Sequence, residues 1–241
     1  MELAHRPVME EKPSPSLAYV RALDERTPDI DNLAEAAQRC QACSLFKRAT
    51  QAVFGEGPSP APMMLIGEQP GDREDLVGRP FVGPAGRLLD DALEAAEIPR
   101  DQVYLTNAVK HFKWEPRGKR RLHSKPNAGE VHACRGWLES EIEVVRPEII
   151  VCLGVTAAQV FFGRTFRLTR SRGVLEDGNP WARRILATFH PSALLRMMGA
   201  DDEDEYARLR RAFTLDLAEA ASVVKFRRER SVHGRIRSAS L

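Results

Sequence analysis

Four short apolar segments constrain the fold of this chain most strongly. They cover residues 63–66, 102–109, 148–153 and 185–189. Apolar runs of this length are typical of buried β-strands. Stretches with the composition or the apolar spacing of helices flank and separate them, over residues 31–40, 84–96, 130–145, 157–162 and 205–224. Strands that alternate with helices predict an α/β fold whose parallel sheet is covered on both faces.

The loops that leave the carboxyl ends of these strands are where we expect ligand contacts. In sheets of this kind, ligands bind outside the carboxyl ends of the strands. The four loops begin at Gly67, Asn107, Gly154 and His190. We therefore look for the functional residues at these four points.

We expect one domain between two loosely structured ends. Residues 1–29 are rich in proline and charge and predict a flexible leader, residues 30–225 the domain, and residues 226–241 a basic tail. The longest apolar run, residues 149–153, is far shorter than the ~20 residues of a membrane helix. The amino terminus lacks the apolar stretch of a secretion signal. These features predict no membrane partner and a cytosolic location, in bacteria the cytosol or nucleoid, and we also expect a monomer.

The formal net charge of +2 conceals two basic segments. Residues 107–125 hold seven Lys and Arg against one Glu, a net charge of +6, and residues 223–241 hold six against one, a net charge of +5. The remaining residues therefore carry −9, of which −5 lies in residues 201–205. Block charge of this kind indicates a polyanionic partner, although a solvated loop and a disordered tail explain it equally well.

The four cysteines form one close pair, Cys40 and Cys43, and two single residues, Cys134 and Cys152. They are too few for a disulfide framework. Each single cysteine is explained by ordinary burial, for which cysteine is a common choice, whereas the set of four indicates metal ligation. Zinc sites more often use two close pairs, and an iron–sulfur cluster tolerates scattered thiolates. Composition does not decide between the two metals.

Four motifs at the predicted strand ends carry the most specific information. They are Gly67-Glu68-Gln69-Pro70-Gly71, Gly78-Arg79-Pro80-Phe81-Val82-Gly83, Thr106-Asn107-Ala108-Val109-Lys110 and His190-Pro191-Ser192-Ala193-Leu194-Leu195-Arg196. Taken singly, each is explained by a turn, a buried Asn or a helix cap. Together with the four cysteines, they resemble the iron–sulfur uracil-DNA glycosylases of families 4 and 5 over about residues 40–213.

Two features make the chain most similar to the UdgX class of that superfamily. The first is Gln69, where family 4 usually has Ala or Gly. The second is the segment 119–123, Lys-Arg-Arg-Leu-His, which is close to the Lys-Arg-Arg-Ile-His loop of that class.

The resemblance implies an α/β/α sandwich with a central, mainly parallel four-stranded sheet, and a 4Fe–4S cluster on the four cysteines. It implies uracil-containing DNA as the partner, with single strands favoured because flipping a base out of a duplex costs unstacking energy. Phe81 would stack on the flipped uracil, and Asn107 would read its edge, since a side-chain amide offers a donor and an acceptor. Gly67, Gln69 and Asp75 would complete the substrate site.

The resemblance also implies how the glycosidic bond breaks. Negative charge builds on the departing base, and His190 would stabilise it near O2. Ser192 would cap the following helix or contact a phosphate. His123 matches the histidine with which the UdgX class captures the sugar in a stable covalent protein–DNA adduct. Glu68 would hold and polarise His123 or stabilise the sugar cation.

Arg120 and Arg121 would hold this loop on DNA phosphates and keep His123 neutral, since an imidazolium beside two cations is disfavoured. The simple alternatives are an exposed histidine in a basic loop for His123 and a core aromatic for Phe81. Two alternative functions stay open. One is a conventional turnover uracil-DNA glycosylase, and the other is a non-catalytic iron–sulfur DNA-binding module.

Overall fold

Seven strands lie in the part of the chain that this computed structural model describes, residues 13–23, 29–198 and 203–227. They are β1 (Met63–Gly67), β2 (Val103–Asn107), β3 (Trp114–Arg117), β4 (Arg120–His123), β5 (Ile149–Leu153), β6 (Leu175–Asp177) and β7 (Arg184–Thr188). Strands β3 and β4 form a separate two-stranded sheet, and the other five form a central sheet in the order β2-β1-β5-β7-β6.

The four strands predicted from the apolar segments run parallel, as expected. The predicted strand count of four is wrong by one, because β6 adds to the edge of the sheet antiparallel to β7. Strand β6 has three residues, and its Glu176 and Asp177 are exposed. No apolar run therefore marks this edge strand in the sequence.

The described residues also form nine α-helices. They are α1 (Leu17–Arg21), α2 (Ile30–Gln38), α3 (Asp72–Val77), α4 (Pro84–Ala95), α5 (Ala128–Val145), α6 (Val155–Phe162), α7 (Leu168–Ser171), α8 (Pro191–Met197) and α9 (Glu203–Ser222). The helical patterns of the sequence correspond to α2, α4, α5, α6 and α9. Helix α3 lies in a stretch expected to be loop, because it buries Glu74 and Asp75 and exposes Leu76 and Val77, the reverse of an amphipathic pattern.

Alternate residues of the central strands face opposite sides of the sheet, as the two-residue period of a strand requires. On one side Met63, Leu65 and Val151 belong to a core cluster with residues of α4 and α9. On the other side Met64 and Ile66 belong to a cluster with residues of α5 and α6. These two covered faces confirm the predicted three-layer α/β/α sandwich.

The basic segment expected to form a loop is the β3–β4 hairpin. Its strands pair antiparallel, with Trp114 opposite His123 at the open end, and Gly118 has a φ of 58° at the turn. Every hairpin residue is at least partly exposed. A strand without a buried face has no apolar alternation, which explains why the sequence pattern did not indicate it.

Part of the predicted leader packs on the domain. The buried Ser14 hydroxyl donates a hydrogen bond of 3.0 Å to the carbonyl oxygen of Ala133 in α5, and α1 follows it. Residues 1–12 and 24–28 of the predicted leader, and 228–241 of the predicted tail, lie outside the described residues. No helix within 13–23, 29–198 and 203–227 is long and apolar enough to cross a membrane.

Candidate active site

A cavity of about 680 Å³ opens where the parallel strands β1, β2, β5 and β7 end. Its volume falls within the range of roughly 300–1,000 Å³ that is usual for small-ligand sites. Seven of the site residues predicted from sequence line it: Glu68, Gln69, Phe81, Asn107, His123, His190 and Ser192. Thr156, Lys125, Arg167 and Arg196 also line it and were not predicted. The only sequence signal for Thr156 was its position just after Gly154, in a loop that follows a predicted strand.

An aromatic ring and a side-chain amide meet at the floor of this cavity. A Cβ atom at Gly67 would stand 2.3 Å from Oδ1 of Asn107 and 2.8 Å from Cζ of Phe81, so only glycine admits both groups. Phe81 has a φ of 56°, which is unusual for a bulky residue and is often found at functional sites. The absence of a side chain at Gly67 therefore allows Phe81 and Asn107 to approach each other.

Asn107 is held by its backbone and keeps its side chain available. Its carbonyl oxygen accepts a hydrogen bond of 2.8 Å from Nζ of Lys110, and the same ammonium group lies 2.5 Å from Oε2 of Glu141. Lys110 and Glu141 are almost completely buried. Among the described residues, the Asn107 amide makes no hydrogen bond, so its donor and acceptor remain free for a ligand.

His190 lies beside Phe81, with ring centroids 6.4 Å apart and planes 29° apart. The backbone N–H of Ser192 donates to Nδ1 of His190 at 3.1 Å, and the Ser192 hydroxyl lies 2.8 Å from the same nitrogen. Burial, with smaller contributions from His123 and Arg196, lowers the pKa of His190 to about 4. A neutral ring that accepts at Nδ1 carries its proton on Nε2, which makes Nε2 a hydrogen-bond donor. His190, and not Ser192 as predicted, is therefore the N-cap residue of α8, and Ser192 contacts the His190 ring.

Glu68 joins two side chains from different parts of the fold. Its Oε1 lies 3.5 Å from Nε2 of His123, and its Oε2 accepts a short hydrogen bond from the hydroxyl of Thr156. Burial lowers the pKa of His123, Glu68 opposes that shift, and Arg196 adds to it. The site therefore presents a neutral imidazole next to a carboxylate that Thr156 holds in place.

Gln69 fixes the open end of the β3–β4 hairpin. Its Nε2 donates to the carbonyl oxygens of Lys113 and Ser124, at 3.1 and 3.2 Å, and its Oε1 accepts from the N–H of Lys113 at 3.1 Å. Lys113 directly precedes Trp114 at the start of β3, and Ser124 directly follows His123 at the end of β4. Although Gln69 lines the cavity, its amide is engaged in holding the hairpin that carries His123.

Arg121 and Asp75, both predicted to contact the substrate or its phosphates, lie outside the cavity lining. Arg121 donates to Oδ2 of Asp75 and to Oδ1 of Asp72, each at 2.6 Å, and its guanidinium lies over the ring of Trp114. Asp75 is fully buried. This pair ties the hairpin to α3. Arg120, by contrast, is exposed near the hairpin turn, and its side chain makes no hydrogen bond or ion pair within the part of the chain that the structure describes.

The four cysteines do not converge as one set. The Sγ atom of Cys40 accepts from Nε1 of Trp137, and that of Cys134 accepts from the backbone N–H of Lys110, both at 3.2 Å. Cys40 and Cys134 belong to one buried cluster, with Cys43 packed against it, whereas Cys152 belongs to another. Among the described residues, no three His, Cys, Asp or Glu are placed to hold a single metal ion. The predicted four-cysteine ligand set therefore does not fit this structure.

The fold and this cavity define an α/β protein with a ligand site at the carboxyl edge of its parallel sheet. A sequence model of the uracil DNA glycosylase superfamily matches residues 54–214. The chain therefore belongs to the uracil-DNA glycosylase superfamily, as its motifs predicted.

Three individual uracil-DNA glycosylases are similar to this chain in sequence. A type-4 uracil-DNA glycosylase of Thermotoga maritima is 37% identical over 199 residues, which cover 81% of this chain and 95% of the relative. The type-4 enzyme of Archaeoglobus fulgidus is 35% identical, covering 69% of this chain and 83% of the relative. A type-5 uracil-DNA glycosylase of Pyrobaculum aerophilum is 31% identical, covering 56% and 62%.

Proposed function

We propose that the protein excises uracil from DNA and then becomes covalently linked to the exposed sugar through His123. The observation that carries this proposal is the placement of the His123 imidazole beside the Glu68 carboxylate, in the same cavity as Phe81, Asn107 and His190. Membership of the uracil-DNA glycosylase superfamily supports the excision step, and the neutral imidazole in the cavity supports the capture step.

In the first step, the uracil lies against the ring of Phe81 with its edge at the free Asn107 amide. The bond between C1′ and the base N1 breaks, and its electron pair leaves with the uracil. The Nε2–H of His190 donates a hydrogen bond to O2, where negative charge develops, so the departing anion is stabilised. A positively charged sugar carbon remains in the cavity.

In the second step, Nε2 of His123 attacks that carbon. Glu68, whose Oε1 lies 3.5 Å from Nε2, takes the proton from this nitrogen, and the electron pair of the broken N–H bond forms the new bond to C1′. The products are an N-linked sugar on His123, a protonated Glu68 and a uracil anion that takes up a proton from solvent. Thr156 is a positioning residue in this scheme, because it holds the carboxylate through its second oxygen.

We further propose single-stranded uracil-DNA as the preferred substrate, since an unpaired base needs less unstacking energy to reach the cavity. We also propose that the protein acts as a monomer. We propose that the protein acts in the cytosol or nucleoid of a bacterium, where it would meet its DNA substrate. No step of this reaction depends on the 4Fe–4S cluster that the resemblance implies.

A gel assay with uracil-containing single-stranded DNA tests this function. We expect a slowly migrating band that survives SDS and heat, and release of one uracil per protein. Repeated uracil release without such a band would favour the conventional turnover glycosylase, the alternative suggested by the type-4 relatives. Unchanged uracil-DNA, bound but not cleaved, would favour the non-catalytic DNA-binding module.

A further inference from the structure

The charged residues that line the active-site cavity differ in exposure according to the sign of their charge. Glu74 is buried and the side chain of Glu68 is only 19% exposed, whereas Lys125, Arg167 and Arg196 are all exposed. These three cations belong to separate segments, one just after β4, one just before α7 and one within α8. A polyanion that approaches the cavity therefore meets positive charge first.

Arg167 is held in place by the loop that precedes α7. Its Nη1 donates to the carbonyl oxygens of Arg164, Thr165 and Phe166, at 3.3, 3.1 and 3.2 Å. A guanidinium group has five N–H donors. Within the described ranges, Nε and Nη2 of Arg167 donate to no protein atom. The group is thus fixed at one end, and its other donors are available for an anion with two acceptor oxygens.

The loop that fixes Arg167 is itself tied to α6. The ring of Phe166 stacks on that of Phe162, with centroids 4.9 Å apart and planes 20° apart. Nε2 of Gln159 donates to the carbonyl oxygens of Arg164 and Phe166, at 3.2 and 3.4 Å. The fold therefore positions Arg167 without help from a ligand, which reduces the ordering cost when an anion binds.

Arg196 extends from α8 close to the reacting groups. Its Nη1 lies 3.5 Å from the hydroxyl oxygen of Ser192. Burial is the main cause of the lowered pKa of both His123 and His190, and the charge of Arg196 adds to the shift in each. Neither Arg196 nor Arg167 forms an ion pair with a carboxylate of the described chain. Both arginines thus keep their charge available at the cavity.

We propose that Arg167 and Arg196 bind the two phosphates that flank the flipped uridine, one on its 5′ side and one on its 3′ side. Both phosphates are attached to the sugar of that uridine, so they remain at the mouth of the cavity when the base enters. Arg121, which the sequence predicted to contact phosphates, is instead engaged with Asp72 and Asp75. The inference rests on the proposed uracil-DNA substrate and does not depend on covalent capture by His123.

The salt dependence of DNA binding tests this assignment. The probe is a single-stranded oligonucleotide with one 2′-fluoro-2′-deoxyuridine, whose fluorine slows departure of the base, and binding is followed by fluorescence anisotropy. For single strands, each phosphate contact contributes about 0.7 to the slope of log K against log salt concentration. We therefore expect Arg167→Gln and Arg196→Gln each to reduce this slope by about 0.7.

Arg170→Gln is the matched control. Arg170 lies in the same segment as Arg167 and is exposed, but it does not line the cavity. This variant loses the same charge, and its slope should stay that of the wild type.

Neutral methylphosphonates, placed one at a time on the two sides of the uridine, separate phosphate binding from a structural role. Each replacement should weaken binding of the wild type. In Arg167→Gln one of the two replacements should have no further effect, and in Arg196→Gln the other should have none. An arginine that only supports the fold would leave every protein equally sensitive to both replacements.

Wild-type slopes in both arginine variants, or equal sensitivity of all proteins to the methylphosphonates, would overturn the assignment and leave the crosslinking result unaffected. A wild type that does not bind this oligonucleotide would overturn both the assignment and the proposed substrate. The predicted slopes in a protein that forms no adduct with unmodified uracil-DNA would support the phosphate contacts and contradict only the capture by His123.

Discussion

The side-chain amide of Gln69 pairs with the backbone of Lys113 through both of its ends, with Nε2 donating to the carbonyl oxygen and Oε1 accepting from the N–H, each at 3.1 Å. Two residues that are 44 positions apart thereby join the first motif loop to the base of the hairpin. The third bond of this amide, to Ser124, reaches the chain just after His123. Gln69, in the loop after β1, thus holds the segment of the chain that carries His123.

Gln69→Ala should slow crosslinking while leaving uracil excision largely intact. The variant loses three hydrogen bonds, each contributing about 0.5–1.5 kcal/mol, so we expect the rate of adduct formation to fall by about tenfold or more. Single-turnover assays that follow uracil release and adduct formation separately will measure the effect. Gln102→Ala is the matched control, because Gln102 makes a similar two-ended amide contact with Arg227 far from the cavity. Equal losses in both variants would contradict the positioning role.

Thr156→Val should reduce the rate of adduct formation by about tenfold. The change keeps the shape of the side chain and removes the hydroxyl that holds Oε2 of Glu68. Thr156→Ser retains a hydroxyl and should recover most of the rate. Thr169→Val, at another threonine of the cavity lining, should have little effect. A full rate in Thr156→Val would show that Glu68 needs no such support.

Adduct formation should fall in acid. Burial lowers the pKa of His123 below its ordinary value near 6.5, so the imidazole is neutral at pH 7. Only below that ordinary value does it become a cation, which the positively charged sugar carbon repels. The adduct rate should therefore be constant from neutral to mildly alkaline pH and decline at acidic pH. Arg196→Gln removes one cause of the lowered pKa, so the midpoint of the decline should move to higher pH. A midpoint unchanged or lower in this variant would contradict the electrostatic role of Arg196.

Glu141→Gln should lower the free energy of unfolding by about 3–5 kcal/mol, the usual cost of leaving one partner of a buried ion pair unpaired. Lys110 and Glu141 are 1% and 0% exposed, so water cannot compensate the remaining ammonium group. Urea unfolding monitored by circular dichroism will measure this cost. Glu35→Gln, which breaks the exposed pair between Glu35 and Arg39, should change the stability by less than about 1 kcal/mol. Similar losses for the two variants would be inconsistent with this account.

The sequence predicted the parts of the fold in which burial leaves a pattern. The apolar runs of β1, β2, β5 and β7 and the amphipathic faces of α4, α5 and α9 are of this kind. Strand β6, helix α3 and the β3–β4 hairpin were missed because their residues are polar and at least partly exposed, or bury charged rather than apolar groups.

Within the site, local motifs predicted which residues line the cavity but not what each side chain contacts. Gln69 and Arg121 were expected at the substrate, yet both are engaged with partners more than 40 residues away along the chain. Spacing could not indicate that Cys152 faces a different cluster from Cys134, because the strand order decides which residues become neighbours.

The central claim is that His123 forms a covalent bond to the deoxyribose after uracil leaves. Mass spectrometry of proteolytic peptides from the adduct with a short uracil-containing oligonucleotide tests it most directly. We predict that the sugar mass is attached to His123, and that His123→Gly forms no adduct while still releasing uracil. A sugar attached to a different residue, or wild-type protein that releases uracil repeatedly with no modified peptide, would contradict it.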